Sequence, residues 1–229
     1  MEMFWLILCE RLSMMFSKKN YPSRIEAKKL VKWASTLNPG QWVQHCETAA
    51  TAAERIAVAC NMDSDKAYVC GLLHDIGRFE GVRALHHVIA GYSLMMEKGY
   101  DDIARICLTH SFPIKDVKSF SGKRDCTEEE LDFIQSYLKE TKYDQFDKLL
   151  QLCDAISLPT GVVLMDIRLV DVALRHGFNE YTVDKWKAFY ALKESFDILC
   201  GKNIYELFKD EVVRGIFDSY ISHEHIAKH

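Results

Sequence analysis

From Tyr21 onward the apolar residues recur at spacings of three and four, and alternating runs are scarce. That period suits a helix face and not a strand, so it restricts the chain to an all-α architecture. Punctuation supports the reading. The 229 residues include only 11 Gly and 4 Pro, too few for a sandwich or a linker-rich chain. With 48% hydrophobic and 27% charged residues the composition is that of a folded globule rather than a disordered chain.

The helices can be placed in order. Pro22 precedes a segment with Ile25, Leu30 and Trp33 at helical spacing, and Asn38-Pro39-Gly40 ends it. A longer helix follows over about 41–60, with Ala49, Ala52, Ala53, Ile56, Ala57 and Cys60 as its stripe and His45 one turn before Ala49. Asp63 can cap a helix carrying Ala67, Cys70, Leu73 and His74. Further helices are expected over 87–98, closed by Gly99, and over 100–110. Thr127 with Glu130 is a capping box, and Phe146, Leu149, Leu150 and Cys153 mark a helix reaching about Ile156. Stretches 166–176, 182–199 and 203–221 complete a single helical-bundle domain over 21–229. Residues 1–20 form an N-terminal extension. Its apolar run, Met3 to Cys9, is too short to span a bilayer, and Glu2 and Glu10 spoil a signal peptide. A translation start at Met14 or Met15 would remove most of it.

Net charge is −4, and an acidic total argues against sequence-independent binding of a nucleic-acid polymer, which needs a basic face. The eight cysteines form no C-x-x-C pair, and reduced thiols in a cytoplasmic protein are expected. Cys46, Cys70, Cys107 and Cys153 read as small core residues.

Histidine carries the chemistry. Five of the nine, His45, His74, His86, His87 and His110, fall within one stretch, and His74 adjoins Asp75 in LLHDIGR. Asp154 sits on the apolar face of LLQLCDAIS with no Arg or Lys within a turn, and a buried carboxylate needs a cation. A metal ion would satisfy it. His86 points about 100° away from His87 on a helix, so the two do not share one site. His223, His225 and His229 lie in a polar tail.

The order His45, His74-Asp75, Asp154 resembles the H…HD…D signature of the HD-domain metal-dependent phosphohydrolases, and LLHDIGR resembles their L-x-H-D-I-G-[KR] segment. His87 in HVIAG resembles their H-P-x-x-G-A helix, with Val88 in place of Pro, and His110 resembles the next His. The resemblance implies one metal on His45, His74, Asp75 and Asp154, and a second on His87 and His110 with Asp75 bridging. Imidazole-rich ligation points to one or two divalent transition ions, Fe, Mn, Co, Ni or Zn. Their excess positive charge implies a small anionic substrate such as a nucleotide or another phosphate ester, hydrolysed by a metal-activated water, with Asp75 and Arg78 as catalytic residues. Arg78, Lys115, Lys118 and Arg168 are the candidate substrate contacts. Lys115 and Lys118 share a basic loop with Lys123 and Arg124 over 112–125, which reads either as a solvated surface loop or as a flap over an anionic substrate. The same ligand order also resembles the mixed-valent di-iron oxygenases of HD type, and a nucleotide-binding regulatory domain is a third class. The Gly-Tyr-Pro motif of cyclic-dinucleotide phosphodiesterases is absent after His110.

Overall fold

The computed structural model describes residues 19–217, and the N-terminal apolar run, the tail histidines and the end of the last expected helix lie outside them. The fold is all-α: ten α-helices among the described residues, with one two-residue hairpin. Helix α1 (Arg24–Leu37) opens with a capping box between Ser23 and Glu26. It buries Ala27, Val31 and Ala34, not the face expected from bulk, and leaves Ile25 and Trp33 70% and 42% exposed. Small side chains win here because α1 lies close on α3 (Ser64–Leu73).

The same rule builds the centre of the domain. Helix α2 (Trp42–Ala59) presents Ala49, Ala50, Ala52, Ala53, Ile56 and Ala57, all fully buried, to α3. A Cβ on Gly71 would stand 2.5 Å from Ala50 Cα, so glycine is what permits this approach. Asp63 caps α3 by accepting from the Lys66 N–H. Helices α4 (His86–Glu97) and α5 (Asp101–Thr109) pack as a second pair. Helix α6 (Glu128–Glu140) opens on the Thr127 capping box and covers a smaller apolar cluster of Leu85, Leu108, Phe112, Ile134 and Leu138.

Helix α7 (Gln145–Ala155) touches α2, α3 and α5, and its buried Asp147 is paired with Arg105 and accepts from Thr109 Oγ1 at 2.7 Å. After it, where the sequence shows only Pro and Gly breakers, β1 (Ser157–Leu158) and β2 (Gly161–Val162) form an antiparallel hairpin. Helix α8 (Met165–His176) ends at Gly177 with φ 75°. Helix α9 (Thr182–Cys200) packs back across α7. The last expected helix is two elements, a 3₁₀ turn at Ile204–Phe208 capped by Asn203 and α10 (Lys209–Phe217).

Reduced thiols hold for the buried Cys46, Cys70, Cys107 and Cys153, but Cys60 and Cys200 form a disulfide, their Cα atoms 4.8 Å apart. Helix packing brings the ends of α2 and α9 together across 140 residues of chain, a proximity that residue spacing does not encode. No helix among the described residues is long and apolar enough to cross a membrane. Gly71→Ala is expected to cost about 3 kcal/mol, because the added methyl meets backbone rather than a movable side chain. Urea midpoints at unchanged slope would measure it, and a shift near zero would show that α2 and α3 can separate freely.

Candidate metal centre

Three helix termini place the histidines. His74 caps the end of α3, His110 caps the end of α5, and His87 lies in the first turn of α4. Helix ends leave carbonyls without partners, and a histidine three residues on can satisfy one. His74 and His110 do so through Nδ1, to the Gly71 carbonyl at 2.7 Å and that of Cys107 at 2.9 Å, and His87 donates Nδ1–H to the carbonyl of Ala84, which precedes α4. A carbonyl only accepts, so each Nδ1 carries the proton and each Nε2 keeps a lone pair.

Those lone pairs converge. His74 Nε2 stands 3.3 Å from His45 Nε2, and His87 Nε2 stands 3.5 Å from His110 Nε2. Asp75 Oδ1 lies 3.0 Å from His87 Nε2 and 3.5 Å from His110 Nε2, and Asp154 Oδ1 lies 3.1 Å from His45 Nε2. Two donor sets result, His45–His74–Asp154 and Asp75–His87–His110, with the atoms of each set within 4.8 Å of one another.

Their protonation suits a cation. Burial pushes His74 down to about 3, and burial with the Arg78 charge lowers His87. Burial alone would raise Asp75, but Arg78 and the imidazoles hold it well below the usual carboxylate range. Asp154 is likewise held low against burial by His45 and Arg168. Neutral imidazoles and ionised carboxylates are the forms that bind metals. Asp75 Oδ1, moreover, is buried with no hydrogen-bond partner. Lone pairs facing a buried carboxylate oxygen repel unless something positive lies between them, so the residues fit a divalent ion in each set.

The local sequence explains the placement of Asp75. A Cβ on Gly77 would lie 2.0 Å from the His87 carbonyl, so this glycine lets the 3₁₀ turn Ile76–Glu80 press against α4 and bring Asp75 to His87. Arg78, expected at a phosphate or in solvent, instead donates Nε–H to Asp75 Oδ2 at 2.5 Å. That oxygen is the one a bridge to the His74 set would use, and it lies 4.0 Å from His74 Nε2. Asn38 fixes the turn from outside by donating to the Arg78 carbonyl.

Other sequence candidates are distributed differently. Asp154 does have a cationic neighbour: Arg168 reaches it from α8 at 3.5 Å and also pairs with Asp171 at 2.9 Å. A search within one turn missed it because the contact spans the hairpin. His86 turns outward to Glu80 and Glu130. Lys115 donates to the Thr141 carbonyl at 2.5 Å above the Tyr143 ring and bonds to none of the six side chains. Lys118, Lys123 and Arg124 line a groove of ≈ 800 Å³, together with Phe120 and His176. The Phe120 ring is 6.3 Å from that of His87, so the groove's wall adjoins the cluster. The loop is pinned there, with Asn179 donating to the Phe120 carbonyl and Tyr181 to Asp116. Cys46 lies near His74 and Asp75, but burial pushes its thiol well up, away from the thiolate a metal needs.

The ligand order and helical setting agree with a family comparison. The HD domain family model matches residues 42–158, just over half of the chain. The chain belongs to the HD domain family, within the superfamily of metal-dependent phosphohydrolases. Neither the curated proteins nor the solved structures contain a match to it.

Metal analysis should resolve the two sets. Wild type is expected to hold two divalent ions per chain, His87→Ala or His110→Ala about one, and His45→Ala about one at the opposite set. A wild type that saturates at one ion, unaffected by His87→Ala, would assign His87 and His110 to a role other than ligation.

Proposed function

We propose that the protein is a metal-dependent phosphohydrolase acting on a nucleotide or another small phosphate ester. The buried Oδ1 of Asp75, without a hydrogen-bond partner and facing the Nε2 atoms of His87 and His110, carries this reading, since it calls for a metal in a closed site. Two divalent ions bring more positive charge than Asp75 and Asp154 return, and the surplus selects an anion. Bound Fe, Mn, Co, Ni or Zn would supply a water of lowered pKa and Lewis-acid stabilisation of the developing charge.

The protein's own residues set the rest. The Asp75–His87–His110 end is closed, each residue being 3% exposed or less, so bulk water is kept from that face. Asp154 is the open edge, with its side chain 21% exposed, and there the substrate enters. Arg78 positions Asp75 by binding Oδ2, and Arg168 holds Asp154 in the same way from α8. The groove beside Phe120 would receive the leaving group, with Lys118, Lys123 and Arg124 along its rim.

Chelated protein should hydrolyse no phosphoester, and reloading with one of these ions should restore turnover in a panel of nucleotides and sugar phosphates. If no ester is turned over with any ion while the iron-loaded protein consumes oxygen, the oxygenase reading replaces this one. Arg78→Met is expected to lower the rate or the metal affinity roughly 10–100-fold, the usual cost of losing a partner that orients a ligand. An unchanged rate and affinity would return Arg78 to a bystander.

The basic loop now divides. Lys118→Gln with Arg124→Gln should raise KM at constant metal content, whereas Lys115→Gln should leave KM unchanged because its ammonium serves Thr141 and Tyr143. Equal KM in all three proteins would make the loop only a connector.

A further inference from the structure

Lysine is poorly suited to burial, because its ammonium is a compact and strongly hydrated charge. Lys185, in the first turn of α9, is nevertheless only 8% exposed. Its Nζ donates to the Ser119 carbonyl at 3.3 Å and to Ser121 Oγ at 3.4 Å, both long for hydrogen bonds. The Phe120 and Phe189 rings flank it, each centroid 6.0 Å away. No carboxylate among the described residues forms an ion pair with it. The acidic side chain whose field it feels is Asp154, and that one is already taken by His45 and Arg168.

A buried cation without an anion costs free energy, and a carbonyl with a hydroxyl at long range offsets little of it. Burial pushes Lys185 down to about 8, which expresses that cost while leaving the ammonium protonated at neutral pH. Position gives the cost a use. The segment that holds Nζ is the one whose Phe120 ring lies against His87, so one aromatic ring separates the ammonium from the histidine cluster. Arg168, by contrast, is paired with Asp171 at 2.9 Å and reaches Asp154 at 3.5 Å. Lys185 is thus a buried cation beside the cluster with no carboxylate partner among the described residues, and it lies outside the residues the family model matches.

We propose that Lys185 is a second oxyanion-binding site beside the metal centre, and that the substrate carries two anionic groups. The reacting phosphate occupies the His/Asp cluster, and a second phosphate or carboxylate is taken by the Lys185 ammonium beside Phe120. The identity of the first group rests on the hydrolase reading, whereas the second site does not.

Binding to the metal-loaded full chain tests this without turnover, using calorimetry with alkyl monophosphates and the matching alkanediyl bisphosphates of increasing length. Wild type should bind the best-fitting bisphosphate about tenfold tighter than its monophosphate, and Lys185→Met should reduce that advantage to within about twofold. The variant should keep its metal content and monophosphate affinity, and it should melt no lower than wild type, since an unpaired buried charge has been removed. Lys185→Arg should retain part of the preference. If Lys185→Met does not fold, Lys185→Gln, which keeps a donor for Ser119, carries the same comparison. Equal affinity for both ligands at every length in wild type overturns the proposal. So does a preference that survives in Lys185→Met or Lys185→Gln, which would make the lysine a structural prop for Ser119. Hydrolysis of monoesters without the preference would leave the hydrolase reading standing and remove the second site. The preference without any hydrolysis would do the reverse.

Discussion

The hydrogen bond from a histidine Nδ1 to the carbonyl three residues before it is the interaction on which the site depends. It occurs at His74, His87 and His110, at or beside three helix termini. One contact performs two tasks: it satisfies an orphaned carbonyl, and it fixes the tautomer whose Nε2 lone pair faces inward. Rotating or removing any of these carbonyls frees the ring to flip. The helices therefore orient the ligands as well as displaying them, and their ends must meet at one point.

Close packing makes that meeting possible. Alanine-rich α2 lies on α3 at a distance only Gly71 allows, which carries His45 to His74. Gly77 does the same between the turn after His74 and α4, which carries Asp75 to His87. Behind α5, Gln151 on α7 donates to the carbonyls of Thr109 and Phe112 on either side of His110, while Asp147 anchors Arg105 and Thr109. The helix that supplies Asp154 thus also fixes the segment that supplies His110. The two donor sets are coupled through α7 even though their ligands are far apart in sequence.

What was legible in the sequence follows from the range of each interaction. Periodicity and caps are local, so the helices, the Asp63 and Thr127 caps and the Gly177 stop could be read directly. The H…HD…D order could be read as a resemblance to the family signature, with His45 and Asp154 on helices already placed and His74-Asp75 just past the end of a third. Three things depended on packing and could not: which face of α1 is buried, that Cys60 meets Cys200, and that Arg168 reaches Asp154 across the hairpin. Bulk misled in the first case, because Ile25 and Trp33 carry more apolar area than Ala27 and Ala34 while small residues decide the approach of two helices. Lys185 was missed for a related reason. A lysine in a helix with charged neighbours Asp184 and Lys187 reads as solvated, and only the Ser119–Ser121 segment folding over it reveals its burial.

The distribution of charge then separates holding from binding. Arg78 and Arg168 are each committed to a carboxylate, so they set the geometry of Asp75 and Asp154. A guanidinium suits that work because its planar fork fixes direction as well as charge. Lys185 makes two long hydrogen bonds and pairs with no carboxylate among the described residues, which is what leaves its charge open to the proposed second anion. Asp75, His87 and His110 are closed off from solvent, and Lys185 lies on their flank behind Phe120. Under the proposed hydrolase reading, this arrangement would turn the reacting group of an anionic substrate toward the histidines and a second charge toward α9.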